Sequence, residues 1–559
     1  MTIQLLATIS MMFTQGGNTV DFGPDGVGGY PVVEITDVKK PTRVRLCYAT
    51  HPDGLKGNRG DFWHETRAMY MGPEVWLPIM PANTDRWDWF DVTSNGVYRA
   101  ACAQGLVRYA KWMIDSGDAK VKAIGFDNDG IHSEEPVVGA FACSDKTLDA
   151  VWKASVRTCQ LAAIPGRERA IYVKGGRCQQ TLGPSYAYLS DGAKRDRLVW
   201  SGDLWWAQRN MYVAFPIDSP YMPGSIRMLG ENQTPEGYTQ ACPYPESHGP
   251  LKNGDWGPFG SDEFAAWFVP VVYDHYLHTA DAKVTAEAFP RVRRLIGYLV
   301  KHCRADGFLE PRRETCKHAA GLTFGGTSLH HRTYMNILLW KTYIDAAALA
   351  DVFGTRQEAA AWRARAEKLA ASIRAQQWNA EKGFFYRSTE EKAWAEEANP
   401  LALAVRFVTA EEARRIVPQL RFHGHGKFQA MAVRGAYEYG YPDKAMKLFN
   451  QHNWRKLFNP NWKGLHTVTE CMGMGTRGWG DEAHPDTAVA GIFTNYILGV
   501  EPVEPGYRTF RVKPQTAGEI TWAKGRVPTP HGFIEVEWHL ENGKPKVTVK
   551  APKGVRSAE

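Results

Sequence analysis

At 559 residues the chain is too long for one ordinary hydrophobic core, so two or three domains are expected, one of them large. Its 44% hydrophobic and 23% charged residues exclude a disordered chain. The net charge of +7 is small for this length, and Lys and Arg are scattered among acidic residues without a basic run, which argues against nucleic acid or an anionic membrane as a partner.

Residues 1 to about 137 read as short strands between Gly, Pro and Asp turns ("TRVRLCYAT", "EVWLPIM", "WDWFDVTS", "AKVKAIGF"), the pattern of a β-sandwich. At "ACSDKTLDAVWKASVRTCQLAA" the period changes: Leu148, Val151, Trp152, Ser155 and Cys159 share a helical face behind a Ser144 or Asp145 cap. Helices then continue to about residue 500. One stripe runs through Met335, Leu339, Tyr343, Ala346 and Ala350, and the next through Trp362, Ala366, Leu369 and Ile373. Thr355 with Glu358 and Thr409 with Glu412 have capping-box spacing. Helix pairs with short joints predict an α-helical barrel or toroid over 138–500. Long connections at 220–260, 311–330 and 455–484 interrupt it, and their tryptophans mark them as functional loops. In the last segment, 501–559, Ile534, Val536, Trp538 and Leu540 alternate, and Asn542-Gly543 signals a hairpin, so a small β-sheet domain is expected.

The nine cysteines (47, 102, 143, 159, 178, 242, 303, 316 and 471) lie far apart without a CxxC pair and read as mostly buried free thiols of a reducing compartment. The opening "MTIQLLATISMMFTQGG" has no basic residue before its apolar run and no clear small-x-small cleavage site. No apolar stretch approaches the roughly 18 residues that span a bilayer. A cytoplasmic protein is expected, with no membrane partner.

Twenty tryptophans are an unusual load, and flat rings stack on the apolar faces of sugars as readily as they fill cores. The densest stretch is "SDGAKRDRLVWSGDLWW", residues 190–206, which crowds Asp191, Asp196 and Asp203 against three tryptophans. Gly192 and Gly202 make most of it a loop, and Ser201 is placed to cap the helix that follows. Asp203 then sits in a first helical turn, where it either complements the helix dipole or faces a site. Asp191 and Asp196 either pair with Arg195 and Arg197 on the surface or serve a site.

"DGAKRDRLVWSGD" closely resembles the active-site segment of family 78 glycoside hydrolases, the α-L-rhamnosidases, in residue type and spacing. "HTVTECMGMG" resembles the family's Thr-rich stretch ending in the catalytic glutamate. "AHPDTAVAGIFTNYILGVEP" is similar to its later histidine-bearing helix, and "GYRTFRVKPQ…ITWAKGRVPTPHGFIEVEWH" to its C-terminal β segment. The resemblance runs from about 138 to 545. It implies an (α/α)6 barrel and hydrolysis with inversion; no organic cofactor is expected and no residues are assigned to a metal. Terminal L-rhamnose would be removed from a glycoside or oligosaccharide by two carboxyls roughly 6.5 to 9.5 Å apart. Carried over by position, Asp196 is the general acid, where many members have Glu, and Glu470 the general base. Asp191, Arg195 and Asp203 hold the sugar. The arginines beside Asp196 would lower its pKa, so an acid there requires their heads to be turned outward or paired elsewhere.

Other residues carry alternatives. His484 either orients Glu470, touches the sugar or is a plain loop histidine. Trp200, Trp205 and Trp206 are platforms or helix-packing core, whereas Trp256 and Trp479 lie in loops and are better platform candidates. Glu482 reads as a solvated loop charge, and Asp262 with Glu263 as either a cap or an acidic pair near the pocket. "GMGTRG" (473–478) lacks the βαβ context of a dinucleotide site. "HGHG" (423–426) has the wrong spacing for zinc and reads as a polar loop, and "DNDG" (127–130) reads as a turn. Two competing functions stay open: another (α/α)6 carbohydrate hydrolase, acting on an α-glucan or an unsaturated uronide, and a catalytically degenerate sugar-binding protein.

Overall fold

The computed structural model describes residues 9–13, 17–61, 69–70, 76–77, 85–166, 170–174, 177–181, 185–194, 197–243, 261–309, 332–452, 454–455, 463–470 and 484–558. Its N-terminal part is a seven-stranded sheet: β1 (Ile9–Phe13), β2 (Thr19–Asp21), β3 (Val27–Ala49) and, past a two-stranded ladder of β4 (Met69–Tyr70) and β5 (Trp76–Leu77), β6 (Trp87–Val92), β7 (Gly96–Arg99), β8 (Gln104–Val107) and β9 (Tyr109–Asp127). The long strands β3 and β9 pair antiparallel from Tyr30↔Asp127 to Ala49↔Tyr109 and carry the others on their flanks. The expected strands around 42–50, 87–94 and 119–126 lie in β3, β6 and β9. Val33, Ile35, Val44, Leu46, Phe90 and Ile124 fill the core between them. "DNDG" closes β9 as a turn whose Asp127 and Asp129 pair with Arg99, at 2.8 and 3.0 Å.

β10 (Ala140–Cys143) leads into twelve described α-helices: α1 (Lys146–Ala162), α2 (Ser201–Ala214), α3 (Tyr221–Glu231), α4 (Asp262–Thr279), α5 (Ala282–Lys301), α6 (Arg332–Phe353), α7 (Arg356–Gln377), α8 (Ala398–Ala404), α9 (Ala410–Ile416), α10 (Gly426–Glu438), α11 (Pro442–Gln451) and α12 (Val489–Ile492). Asp145 caps α1 by accepting from Thr147 and Leu148, and both capping boxes form as their spacing requires, at α7 and α9. All nine stripe residues of α6 and α7 are buried. Successive even-numbered helices pack on one another: α2 on α4, α4 on α6, α6 on α8 and α8 on α10. The circuit returns to α2 through the single turn Pro485–Thr487, which touches both α10 and α2, and through α12. The odd-numbered helices α1, α5, α7 and α11 pack against this circuit. Among the described residues no helix is long and apolar enough to cross a membrane.

Three expectations are corrected. Part of the first long connection is helical: Tyr221, Met222, Ile226 and Leu229 bury one face of α3 despite Pro223, Gly224 and Gly230. Pro is tolerated in a first turn, where its missing N–H has no helical partner. Ser201 does not cap α2; Trp200 holds the cap position, and the Ser201 hydroxyl donates to the Phe264 carbonyl of α4. β10, within the segment read as helical, pairs with the C-terminal strand Trp522–Thr529. That strand continues through Gly532–Glu541 to Lys544–Lys550, the last two joined at Asn542-Gly543, with Ile534, Val536 and Trp538 buried. Cysteines 47, 102, 143, 159, 242 and 303 are free thiols.

Candidate active site

The helix circuit brings first turns together. Asp203 lies in the first turn of α2, Glu263 in that of α4, Tyr334 in that of α6 and Lys427 in that of α10, while Glu397 and His425 hold the cap positions of α8 and α10. All but Asp203 are buried residues. The Lys427 ammonium reaches Asp203 Oδ1 at 2.9 Å, so the charge that α2 places at its start is answered by a cation from α10. Glu263 stands in the same group, and its Oε2 has no hydrogen-bond partner among the described residues. Burial pushes its carboxyl up to about 7; Lys427 and the Tyr334 hydroxyl act against the rise, and Asp203 and Glu397 add to it. Ser261 performs the capping that was the alternative role of Asp262 and Glu263, accepting from Phe264 N–H at 3.3 Å.

Glu470 is buried and faces one imidazole on each carboxylate oxygen. His425 Nε2 stands 3.5 Å from Oε1, and His484 Nε2 3.9 Å from Oε2. Backbone bonds set this geometry: Gly426 N–H donates to the Glu470 carbonyl at 2.5 Å, and His484 N–H to Val468 at 3.1 Å. The approach is close enough that a Cβ on Gly426 would stand 2.9 Å from the Thr469 oxygen and 3.0 Å from that of Glu470, so only glycine fits without displacement. His425 Nδ1 accepts the Lys427 backbone N–H, which leaves the proton of the neutral ring on Nε2, facing Glu470. Burial pushes this imidazole down to about 4 against the pull of Glu470, so near neutral pH it is an uncharged ring beside a carboxylate.

"HGHG" is therefore more than a polar loop. His425 and Lys427 are the functional candidates missed in the sequence, and their signal was only the polarity of a helix start. His423 repeats the arrangement, with Nδ1 accepting from His425 N–H at 3.0 Å and Nε2 3.9 Å from Glu397.

Asp191 is buried and closes its own loop. Its N–H donates to the Leu198 carbonyl at 2.8 Å, and its Oδ1 accepts Leu198 N–H at 3.1 Å. The Arg197 head donates to the carbonyls of Ala193 at 2.8 Å and Ile131 at 2.6 Å. Trp200 is buried and meets Phe264 edge-on at 5.3 Å. Trp205 and Trp206 are core, the former stacked on Trp267 at 4.5 Å. Arg195, Asp196, Trp256, Trp479 and Glu482 lie outside the described residues, as does "GMGTRG".

A family model described as the bacterial alpha-L-rhamnosidase six-hairpin glycosidase domain matches residues 183–483, more than half of the chain, and one for the bacterial alpha-L-rhamnosidase C-terminal domain matches 499–558. An alpha-L-rhamnosidase of Streptomyces avermitilis is 25% identical over 395 residues, 64% of this chain and 34% of that protein. One of an Alteromonas species is 22% identical over 405 residues, 66% and 41% respectively. The chain thus spans roughly a third to two fifths of these relatives' length. In structure it is similar to the GH78 family rhamnosidase of Bacillus sp. GL1 (TM-score 0.69, 17% identity, 96% of this chain and 53% of that one). It is also similar to a rhamnosidase from Klebsiella oxytoca with rhamnose bound (TM-score 0.63, 15% identity, 86% and 88%). The shared fold and the matched segments, which include Asp191, Asp203 and Glu470, lead to one assignment: the chain belongs to the family 78 glycoside hydrolases, the bacterial α-L-rhamnosidases.

Proposed function

We propose that this protein is an inverting α-L-rhamnosidase that releases terminal L-rhamnose from a glycoside. The observation that carries the reading is Glu470, a buried carboxylate set between two imidazoles where helix starts converge. In this reading residues 1–137 form an N-terminal β-sandwich, 138–500 an (α/α)6 barrel whose inner ring is α2, α4, α6, α8, α10 and α12, and 501–559 a C-terminal β-sheet domain. Glu470 takes a proton from water as the water attacks the anomeric carbon, with the uncharged His425 Nε2 facing it at 3.5 Å. Asp196 gives its proton to the departing oxygen. Asp191, Arg195, Asp203 and His484 hold the sugar hydroxyls, Trp256 and Trp479 supply stacking faces, and Trp200 backs the wall behind Asp203. Relatives described as rhamnosidases, one of them solved with rhamnose bound, support rhamnose as the sugar.

A panel of aryl glycosides tests the substrate. Turnover of the α-L-rhamnoside alone supports the reading, turnover of another sugar replaces it with a different hydrolase, and binding without turnover makes the protein a sugar-binding module. Glu470→Gln should lower kcat at least about 10²-fold while rhamnose affinity stays within about tenfold. A variant that keeps most of the wild-type turnover would remove Glu470 from the base role.

A further inference from the structure

The segments that carry Asp196 and Glu470 are both gripped from outside the helices. Asp61 follows β3, and its side chain, like those of Arg86 and Lys194, is fully buried. Lys194 Nζ stands 3.2 Å from Asp61 Oδ2 and Arg86 Nη1 3.1 Å from Oδ1, while the Thr50 backbone N–H donates to Oδ2 at 2.9 Å. Arg86 also donates to the Leu106 carbonyl of β8 at 2.6 Å. Among the described residues, Lys194 is the member of this buried group that comes from the helical part of the chain, two positions before Asp196.

The backbones themselves touch: a Cβ on Gly105 would stand 2.1 Å from the Ala193 carbonyl oxygen. On the other side of Asp196, Arg197 takes a left-handed backbone (φ 56), and its head is fixed on Ala193 and on Ile131, beyond β9. The segment leading to Glu470 is held in the same way. The Tyr109 hydroxyl donates to the Lys463 carbonyl at 2.8 Å, Arg108 donates to that of Gly464, and His466 N–H donates to Pro24 at 2.7 Å. Leu106, Ala193 and Leu465 meet in one small apolar cluster, so β8, the acid segment and the base segment share a single contact.

Given the hydrolase reading above, we infer that the N-terminal sheet is a working part of the hydrolytic site, and that Asp61 is a positioning residue that sets the Asp196 segment against the Glu470 segment through its ion pair with Lys194. Asp61 touches no reacting atom. Its effect comes from the cost of leaving the Lys194 ammonium buried beside Arg86 without a counter-charge, which the loop relieves by moving toward water. A shift of that kind misplaces an acid by an ångström, and misplacement on that scale costs up to about 10²-fold in rate.

The test is Asp61→Asn in the full chain, assayed as kcat/KM on a dinitrophenyl and a methyl α-L-rhamnoside, with melting temperature and active fraction recorded. A good phenolate leaves without a proton, whereas an alkoxide needs one, so the loss should be at least about tenfold greater on the methyl glycoside. The ratio is independent of the folded fraction, so a residue that only staples two parts together lowers both rates equally. That result, in folded protein, overturns the inference. If Asp61→Asn yields no folded protein, Lys194→Met and the milder Thr50→Val, which removes a hydroxyl 3.3 Å from Asp61 Oδ2, must shift the same ratio in the same direction or the inference falls. A wild-type protein inactive on both rhamnosides is the separate outcome that removes the hydrolase reading itself.

Discussion

Replacing Glu263 by Gln isolates the electrostatics of the candidate site. The carboxyl faces Lys427 from α10, Asp203 from α2, Glu397 from the start of α8 and Tyr334 from α6, and burial carries it from an ordinary 4.5 to about 7. At about 1.4 kcal/mol for each tenfold change in proton affinity, ionising it in the folded chain costs on the order of 3 kcal/mol relative to the unfolded chain. The sign follows from proton counting. Below pH 4.5 both states hold the proton, and the group contributes nothing. Between 4.5 and 7 the folded state keeps a proton that the unfolded state has released, so stability falls as pH rises, and above 7 the full cost persists.

Asp345, raised to about 7 by its own burial beside Lys341, adds a similar slope to the raw wild-type curve. The informative quantity is therefore the difference between wild type and Glu263→Gln. For a cooperatively melting unit of about 300 residues, an unfolding entropy near 0.6 kcal/mol/K converts 3 kcal/mol to about 5 °C. Melting temperatures of the two proteins from pH 4.5 to 8 should diverge by several degrees in favour of the variant as pH rises. A gap that stays constant across that range would refute the placement of this carboxyl in a dry group.

Three further outcomes follow from the same geometry. Lys427→Met leaves Asp203 facing a buried site without its cation and should cost about 3–5 kcal/mol, whereas adding Asp203→Asn should restore much of it; additive losses in unfolding measurements would mean that the 2.9 Å pair is not an energetic unit. Proton NMR during early turnover should show β-rhamnose as the first product, and an initial α-anomer would rule out single displacement. Asp196→Asn should cripple alkyl rhamnosides far more than a dinitrophenyl rhamnoside; equal losses would move the acid role to Asp203 or Asp191.

What was legible in the sequence is what depends on near neighbours. The stripe from Met335 to Ala350, the capping boxes at Thr355 and Thr409 and the hairpin at Asn542 are set by side chains within a few positions, and each formed as read. What escaped depends on distant partners. Ser201 has the composition of a cap, but the Phe264 carbonyl on α4 claims its hydroxyl. β10 is a four-residue strand whose partner lies at the far end of the chain. In the site, Asp191, Asp203 and Glu470 were marked by a family pattern, whereas His425 and Lys427 were passed over, because a polar helix start looks the same whether it faces water or a carboxylate. The bond from Gly426 to Glu470 is one of the contacts that bring the two segments together.

The placement of these carboxylates has a physical reason that the ring supplies. A single buried carboxylate is expensive, and Asp203, Glu263, Glu397 and Glu470 together would be prohibitive in an apolar cavity. Here three of the four stand at helix starts, where unpaired backbone N–H groups and the aligned peptide dipoles present partial positive charge. Lys427 adds a full charge at the start of a fourth helix, and burial keeps the imidazole at 425 uncharged beside Glu470. Helix starts gathered in this way therefore make surroundings that tolerate negative charge, and in the proposed reaction an electron-deficient anomeric centre is the transition-state feature that such surroundings stabilise best. The same dipoles oppose protonation, so an acid there needs help to keep its proton. Near neutral pH the neighbours of Asp203 include a Glu263 that is itself half protonated, so the group's net charge, and with it the proton affinity of any acid nearby, changes with pH through Glu263 as well as through the acid. The alkaline limb of the wild-type rate profile should accordingly sharpen toward a single ionisation in Glu263→Gln, and a limb of unchanged shape would show that the acid does not sense this carboxyl.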